Sequence, residues 1–250
     1  MNNLREFASP ESLYLMFVDG SQLYLTREHI DKAAARFWED PAALSDSVKA
    51  AAEFKRCEGC TLEAGEGICD ALRPVLPLLE HIDKFTSVDP VQVVYTGHDP
   101  DILHFSHTDA QTALAYVSLL SLIHYCRAGR KFRKYFYDIT PLISASDLAR
   151  RLYLNIYWLY QGNAGEIKAV ITHFSESIRQ LSQNQVRRLS LISKNDVFNN
   201  ALVKTHTATA LLMLGIEKQT AQAFARYEET GFSASPPRKD NPPSPDMLAS

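Results

Sequence analysis

Residues 108–126 read TDAQTALAYVSLLSLIHYC. They are preceded by PDILHFSH at 100–107 and followed by a basic run, and the hydrophobic period changes at Thr108. Before it, Ile102–Phe105 is a short β-like run; after it, Leu114, Val117, Leu119, Leu120, Leu122 and Ile123 leave almost no polar face. A helix that is apolar nearly all round belongs in the centre of a core. Thr108-Asp109-Ala110-Gln111 fits a capping box, with Thr108 as cap, and predicts a helix running to about Tyr125. The apolar run is cut by Ser118 and Ser121 and flanked by Asp109 and His124. It falls well short of the roughly 20 residues a membrane helix needs.

Upstream of this helix the pattern is β. Val91–Tyr95 and Ile102–Phe105 flank TGHDPD, a stretch rich in turn formers. Nearer the N-terminus, Leu13–Val18 and Gln22–Thr26 flank Asp19-Gly20, a strong hairpin signal because glycine takes positive φ without penalty. Between the two hairpins, residues 28–54 are rich in Ala, Glu and Lys and predict helix, broken at Asp40-Pro41. Val75–Ile82 predicts a short helix near Pro74 and Pro77.

Downstream the chain is helical. Ser144 opens a helix to about Tyr160 through a Ser-x-x-Asp cap. Glu166–Leu191 carries apolar residues at 167, 170, 171, 174, 178 and 181. Ser193 to about Leu214 predicts another helix ending at Gly215, and Glu217–Thr230 a further short one. The expectation is an α+β fold, a small N-terminal antiparallel β element packed on a mainly helical body. Residues 1–12 are expected as a flexible N-terminus and 13–232 as a single domain. Residues 233–250, with five prolines and few large apolar side chains, are expected as a disordered tail.

The 250 residues carry a net charge of -3 and 46% hydrophobic residues, enough for a sizeable core. A nucleic-acid partner, which calls for a strongly basic domain, is not expected. Neither is a membrane, and the N-terminus lacks the apolar core of a secretory signal. A cytoplasmic setting follows as the expectation, in which thiols stay free unless a metal or a reaction claims them.

The thiols are the chemistry-bearing feature. Cys57, Cys60 and Cys69 lie within FKRCEGCTLEAGEGICDAL at 54–72, and Cys126 ends the central helix. Cys57-x2-Cys60 puts two sulfurs on one turn, and Gly65 and Gly67 let the chain fold back toward Cys69. Four thiolates match a closed tetrahedral zinc site. Four cysteines also serve iron–sulfur clusters, though their commoner runs are spaced differently. Other readings are a three-cysteine site completed by His124, a redox-active CEGC dithiol, and buried cysteines acting as small hydrophobes.

Taken in order, CEGCTL at 57–62, ICDAL at 68–72 and residues 108–126 resemble an uncharacterised bacterial domain-of-unknown-function family. KFRKYFYDITPL at 131–142 and NDVFNNALV at 195–203 extend the likeness. That family carries a CPxCPL stretch, a CP opening a helix, a serine-rich helix, a GCP-type turn and a terminal DAxxNALV helix. Glu58, Thr61 and Asp70 stand where it has proline, and Cys126 is offset from its GCP cysteine. The resemblance covers roughly residues 13–214 and implies a bacterial cytoplasmic α+β domain, with no activity or catalytic residue to transfer.

Two other constellations stand out. Arg127–Lys134 holds five basic residues in eight, followed by aromatics. Such a mixture binds phosphates and bases, but cations after a helix end also complement its dipole, with Gly129 as a natural cap. His104, His107 and Asp109 offer a metal or acid–base set, while His124 and His173 fall on apolar stripes and are expected as core histidines. No phosphate loop, nucleophile elbow or HExxH occurs. The expected function is a non-enzymatic regulatory or scaffold domain with a structural cysteine-bound metal and room for a protein partner. The alternatives are a redox or iron–sulfur protein and an enzyme of unknown class.

Overall fold

Asp19-Gly20 turns the chain where expected. The computed structural model describes residues 12–215 apart from 41, 43, 55–56, 63–67 and 97–101. In it β1 (Leu13–Phe17) pairs antiparallel with β2 (Gln22–Leu25), Leu13 opposite Leu25 and Met16 opposite Gln22. Gly20 sits at φ +79, which is why glycine stands there. The Asp19 carboxylate accepts from the Ser21 amide at 2.9 Å and pairs with Lys84 Nζ at 2.5 Å. The Lys84 bond, with Ser21 adding to it, holds the Asp19 carboxyl down at about 2.

The second hairpin is β3 (Pro90–Thr96) and β4 (Leu103–Asp109), Pro90 opposite Asp109 and Thr96 opposite Leu103. Its turn, TGHDPD, lies almost wholly outside the described residues. The hairpins join through β1 and β3 into an antiparallel sheet of order β2-β1-β3-β4. One face is buried. Leu13, Leu15 and Phe17 stand opposite Tyr95, Val93 and Val91, and all six are in the core. Alternation along each strand makes this one face. Ser12, just ahead of β1, is buried and shares a 3.2 Å hydroxyl bond with Thr96.

The helices follow their caps. Thr26 accepts from the His29 amide at the start of α1 (Arg27–Glu39), and Ser45 accepts from the Val48 amide at the start of α2 (Asp46–Glu53). Pro77 sits in the first turn of α3 (Leu76–Ile82), where its missing N–H costs nothing. The central helix α4 (Ala110–Leu120) is capped by Asp109, whose carboxylate accepts from the Thr112 amide at 2.8 Å. The expected cap, Thr108, is one residue too early. It is still in the ladder opposite Val91, so the strand runs directly into the helix. Beyond Leu120 the helix widens into a π turn at Ser121–Tyr125, with the Cys126 amide reaching back to the Ser121 carbonyl at 3.0 Å.

Ser144 caps α5 (Ala145–Leu159) as expected, through the Asp147 amide. The long α6 (Ala164–Ile192) starts two residues before Glu166, because Asn163 caps it by accepting from the Glu166 amide. Its stripe is buried at Ile167, Ile171, Phe174, Ile178 and Leu181, with Val170 partly buried. The last described helix, α7, is Val197–Met213 rather than starting at Ser193. Residues 193–196 instead bridge to the end of α3: Ser193 Oγ donates to Asp83, and the Asn195 amide group donates to the Ile82, Asp83 and Phe85 carbonyls. Glu217–Thr230 and the tail at 233–250 lie outside the described residues.

Sheet and helices share one α+β core that runs from Leu13 to Leu212. At its centre Phe174 is fully buried, with Phe132, Tyr135 and Phe136 edge-on at 5.4–5.7 Å. Among the described residues no helix is long and apolar enough to cross a membrane.

Candidate metal centre

The four thiols, separated by up to 69 positions, share one neighbourhood. All are unpaired by disulfides. Cys69 and Cys126 are buried in the core, and the half-buried Cys57 and Cys60 pack against it. Cys126 lies within electrostatic reach of Cys69 and Cys57, and Cys69 within reach of Cys57 and Cys60.

Three of these cysteines head a turn of one kind. The Cys57 carbonyl accepts from the Cys60 amide at 3.1 Å, with Gly59 at φ +73 allowing the bend. The Cys69 carbonyl accepts from Leu72 at 2.9 Å, and that of Cys126 from Gly129 at 3.1 Å. The turns also aim amides at sulfur. Ala71 donates to Cys69, while Gly129 and Ala128 donate to Cys126. Burial nevertheless dominates. It pushes the Cys69 thiol up, against the pull of Arg188, and with the neighbouring Cys69 it pushes Cys126 up to about 12.

The scaffold around the sulfurs is polar and specific. Ser121 Oγ donates to the Ala71 carbonyl at 2.5 Å, and Gln185 Nε2 reaches the same carbonyl at 3.0 Å and Ser121 Oγ at 3.1 Å. One residue, Ala71, thus offers its N–H to Cys69 while its C=O is held from the π turn and from α6. Asp70 and Arg127, the residues after Cys69 and Cys126, form an ion pair at 2.7 Å. From α6, Asn184 Nδ2 approaches Cys57 Sγ at 3.4 Å and Arg188 Nη1 at 3.8 Å. Ser121, Gln185 and Arg188 are all at most 3% exposed.

The sulfurs are gathered without forming a coordination shell. Among the described residues, no group of three His, Cys, Asp or Glu side chains is arranged to hold an ion as it stands. The donor set itself is soft and tetrahedral in number, which suits zinc. Gly65 and Gly67, the expected hinge between Cys60 and Cys69, lie outside the described residues.

The other expected sites dissolve for stated reasons. His104 and His107 are three apart on β4, so the pleat sends them to opposite faces. His104 stacks on Tyr95 at 4.5 Å, His107 meets Phe105 edge-on at 5.1 Å, and Asp109 is occupied as the α4 cap. His124 is half-buried, its ring facing Arg27, Arg130, Arg133 and Asp31. Burial first and then these cations lower its pKa. His173 is exposed, tilted against Phe132 at 5.8 Å, and not a core histidine. Arg130, Lys131, Arg133 and Lys134 are exposed, and Arg130 Nε donates to the His124 carbonyl at 2.9 Å, as expected of a cation at a helix end. Gly129, however, is no left-handed cap, for its φ is -82. It is glycine because a Cβ there would stand 1.7 Å from the Leu122 carbonyl oxygen.

Gln185, Asn184 and Arg188 were not singled out from the sequence. The signal exists: Leu181, Gln185 and Arg188 continue the buried stripe at helical spacing, so two polar residues stand at core positions. Polar side chains inside such a stripe need partners, and here those partners surround the thiols.

No family model, curated protein or solved structure matches this chain.

Proposed function

We propose that this is a non-enzymatic regulatory or scaffold domain whose loops are pinned by a metal ion held by Cys57, Cys60, Cys69 and Cys126, with zinc the metal that suits four thiolates best. One observation carries the reading. Turns from three distant parts of the chain deliver thiols to one neighbourhood, and the two most buried sulfurs accept backbone amides. A neutral thiol is a weak acceptor and has little use for such donors, whereas a metal-bound thiolate is oriented and stabilised by them. Burial alone drives Cys69 and Cys126 toward the neutral thiol. A bound cation reverses that preference, because a coordinating thiol is deprotonated outright. Binding requires the sulfurs to close to about 2.3 Å from the ion.

The chain buries an extensive apolar core of its own, so the metal would fasten the Cys57–Cys60 and Cys69 turns to the π turn rather than create the fold. A cytoplasmic location fits four free thiols, and the resemblance noted above points to bacteria. The partner of a scaffold domain would be another protein.

A second reading has its own support. Cys57 and Cys60 are half-buried on one turn, an arrangement open to dithiol chemistry or to an iron–sulfur cluster. Metal content and the visible spectrum of the purified protein decide. About one zinc per chain and no visible absorption is the expected result. Brown colour with iron and sulfide overturns zinc in favour of a cluster. Protein that binds no metal and oxidises readily to a Cys57–Cys60 disulfide overturns both metal readings.

A further inference from the structure

We propose that the outward face of α7 is the docking surface for this chain's own residues 216–232, folded back along α7 as the second arm of a helical hairpin with Gly215 at its corner. The proposal stands apart from the thiols and holds with or without a metal.

The surface is set by the composition of α7. VFNNALVKTHTATALLM carries one formal charge, on Lys204, which is half-buried and within electrostatic reach of Asp109. A helix apolar nearly all round belongs inside a protein. α7 packs against α4, α5 and α6, and its inner side is buried from Val197 through Leu202 to Leu212. The opposite side is not. Val203, Thr207, Ala210 and Leu214 are all exposed, Val203 at 52% and Leu214 at 82%. Steps of four, three and four residues put them in one line along the helix. The result is an uncharged stripe that nothing among the described residues covers.

The chain's own continuation fits this stripe in place, pattern and length. The place follows from Gly215, whose φ of +87 turns the chain out of α7. A Cβ at Gly215 would meet nothing within 4 Å, so glycine stands there for the turn rather than for room. The chain therefore leaves α7 beside Leu214, at the end of the stripe. The pattern lies in IEKQTAQAFARYEETGF at 216–232, outside the described residues. Wound as the expected helix, it puts Ile216, Thr220, Ala223, Phe224 and Tyr227 on one side, and Lys218, Gln222, Arg226 and Glu229 on the other. The lengths agree as well. At 1.5 Å per residue, Glu217–Thr230 measures about 21 Å and the stripe from Val203 to Leu214 about 16 Å. Two residues, Gly215 and Ile216, are left to connect the arms, which is enough for an antiparallel helix pair.

A second copy of the chain fits less well. A stable dimer buries about 800 Å² on each partner. One stripe of four side chains, two of them Thr and Ala, does not offer that area.

Hydrogen exchange on the full chain, read from peptides within 216–232, tests the proposal. A helix of this length is marginal alone, so protection there reports docking. Docked amides should exchange at least 10-fold more slowly than in an unstructured chain. Ala210→Glu puts a charge in the middle of the stripe and should return them to the unstructured rate, while peptides from α7 stay protected. Phe224→Ser should do the same from the other side of the contact, and it carries the test if Ala210→Glu disturbs α7. Gln222→Ser, on the polar side of the segment, should leave the protection in place. Wild-type peptides that exchange at the unstructured rate would overturn the proposal and pass the stripe to another protein. Protection that survives both Ala210→Glu and Phe224→Ser would overturn it too, because the segment would then be docked elsewhere. Protection lost on dilution, with sedimentation showing a dimer at the higher concentration, would overturn it in favour of a second copy.

Discussion

Asp70 Oδ2 and Arg127 Nε lie 2.7 Å apart, and each residue immediately follows a cysteine of the buried pair. The ion pair therefore acts as a brace between the Cys69 turn and the Cys126 turn. Asp70 is the better shielded partner, with its side chain 16% exposed against 34% for Arg127. Partly buried pairs of good geometry exceed the 0–1 kcal/mol of surface bridges only modestly. We expect Asp70→Asn and Arg127→Gln each to cost about 1 kcal/mol in chemical denaturation, and the double variant to cost clearly less than their sum. Strict additivity in that cycle would mean the two turns are not coupled through this contact.

Cys60→Ser should act locally. Zinc held by thiolates adds to folding wherever its ligands are tied down, but Cys57 and Cys60 are only partly buried against a core whose centre, Phe174, is fully enclosed. Limited proteolysis is expected to cut near 57–62 in the variant while a fragment containing α4 to α7 persists. Global unfolding of Cys60→Ser at room temperature would show the centre to be the fold's main support instead. Thiol labelling adds a second readout. Native protein should label slowly and accelerate on addition of a chelator, and prompt labelling of Cys57 without one would favour redox work.

Alkali should weaken the metal-free protein in a defined window. Burial lifts the folded-state pKa of Cys126 from an ordinary 9.0 to about 12, so the fold holds the neutral thiol. The contribution is intact below pH 9 and is lost as pH climbs toward 12, amounting to roughly 4 kcal/mol at full effect. Cys69, Tyr125 and Tyr135 are shifted upward too and work in the same direction. Denaturation of apo protein at pH 8 and pH 10.5, wild type against Cys126→Ala, isolates the thiol. The variant should show the shallower decline, and equal slopes would remove Cys126 as a cause.

Gly129→Ala should be among the more damaging single changes outside the thiols. The added methyl would meet the Leu122 carbonyl oxygen at 1.7 Å, a backbone atom that cannot swing away. Overpacking against a fixed neighbour costs about 1–3 kcal/mol, and here the strain falls on the amides that serve Cys126. A loss of that size with faster metal release is the expected outcome. A neutral Gly129→Ala would show that the 126–130 turn can shift as a unit.

Much of this fold was legible because its signals are local. Asp19-Gly20, the Ser144 cap and the 167–181 stripe each specify their element within a few residues. The β1–β3 pairing was not legible, since nothing local distinguishes it from two separate hairpins. Thr108 and Asp109 are both good caps, and the helix starts from Asp109 because the β4 ladder runs through Thr108 to end at Asp109, opposite Pro90. For the site, thiol count and spacing singled out four cysteines, which the fold places in or against one core without grouping three of them around an ion among the described residues. The polar support on α6 was hidden because Gln185 and Arg188 read as interruptions of an apolar stripe. Gly129 was read as a conformational residue when it is a steric one.

The π turn at Ser121–Tyr125 amounts to a one-residue insertion that the helix has absorbed rather than expelled. Were the same residues all wound as ordinary α-helix, with none removed, everything after Tyr125 would be rotated by about one residue's 100°. Cys126 would then leave the side it shares with Cys69, and Arg127 would leave Asp70. In a lineage carrying this domain, the segment should therefore keep its π turn, or lose the turn and one residue together, even where its apolar side chains are exchanged freely. Reading frame, more than residue identity, is what this stretch has to preserve.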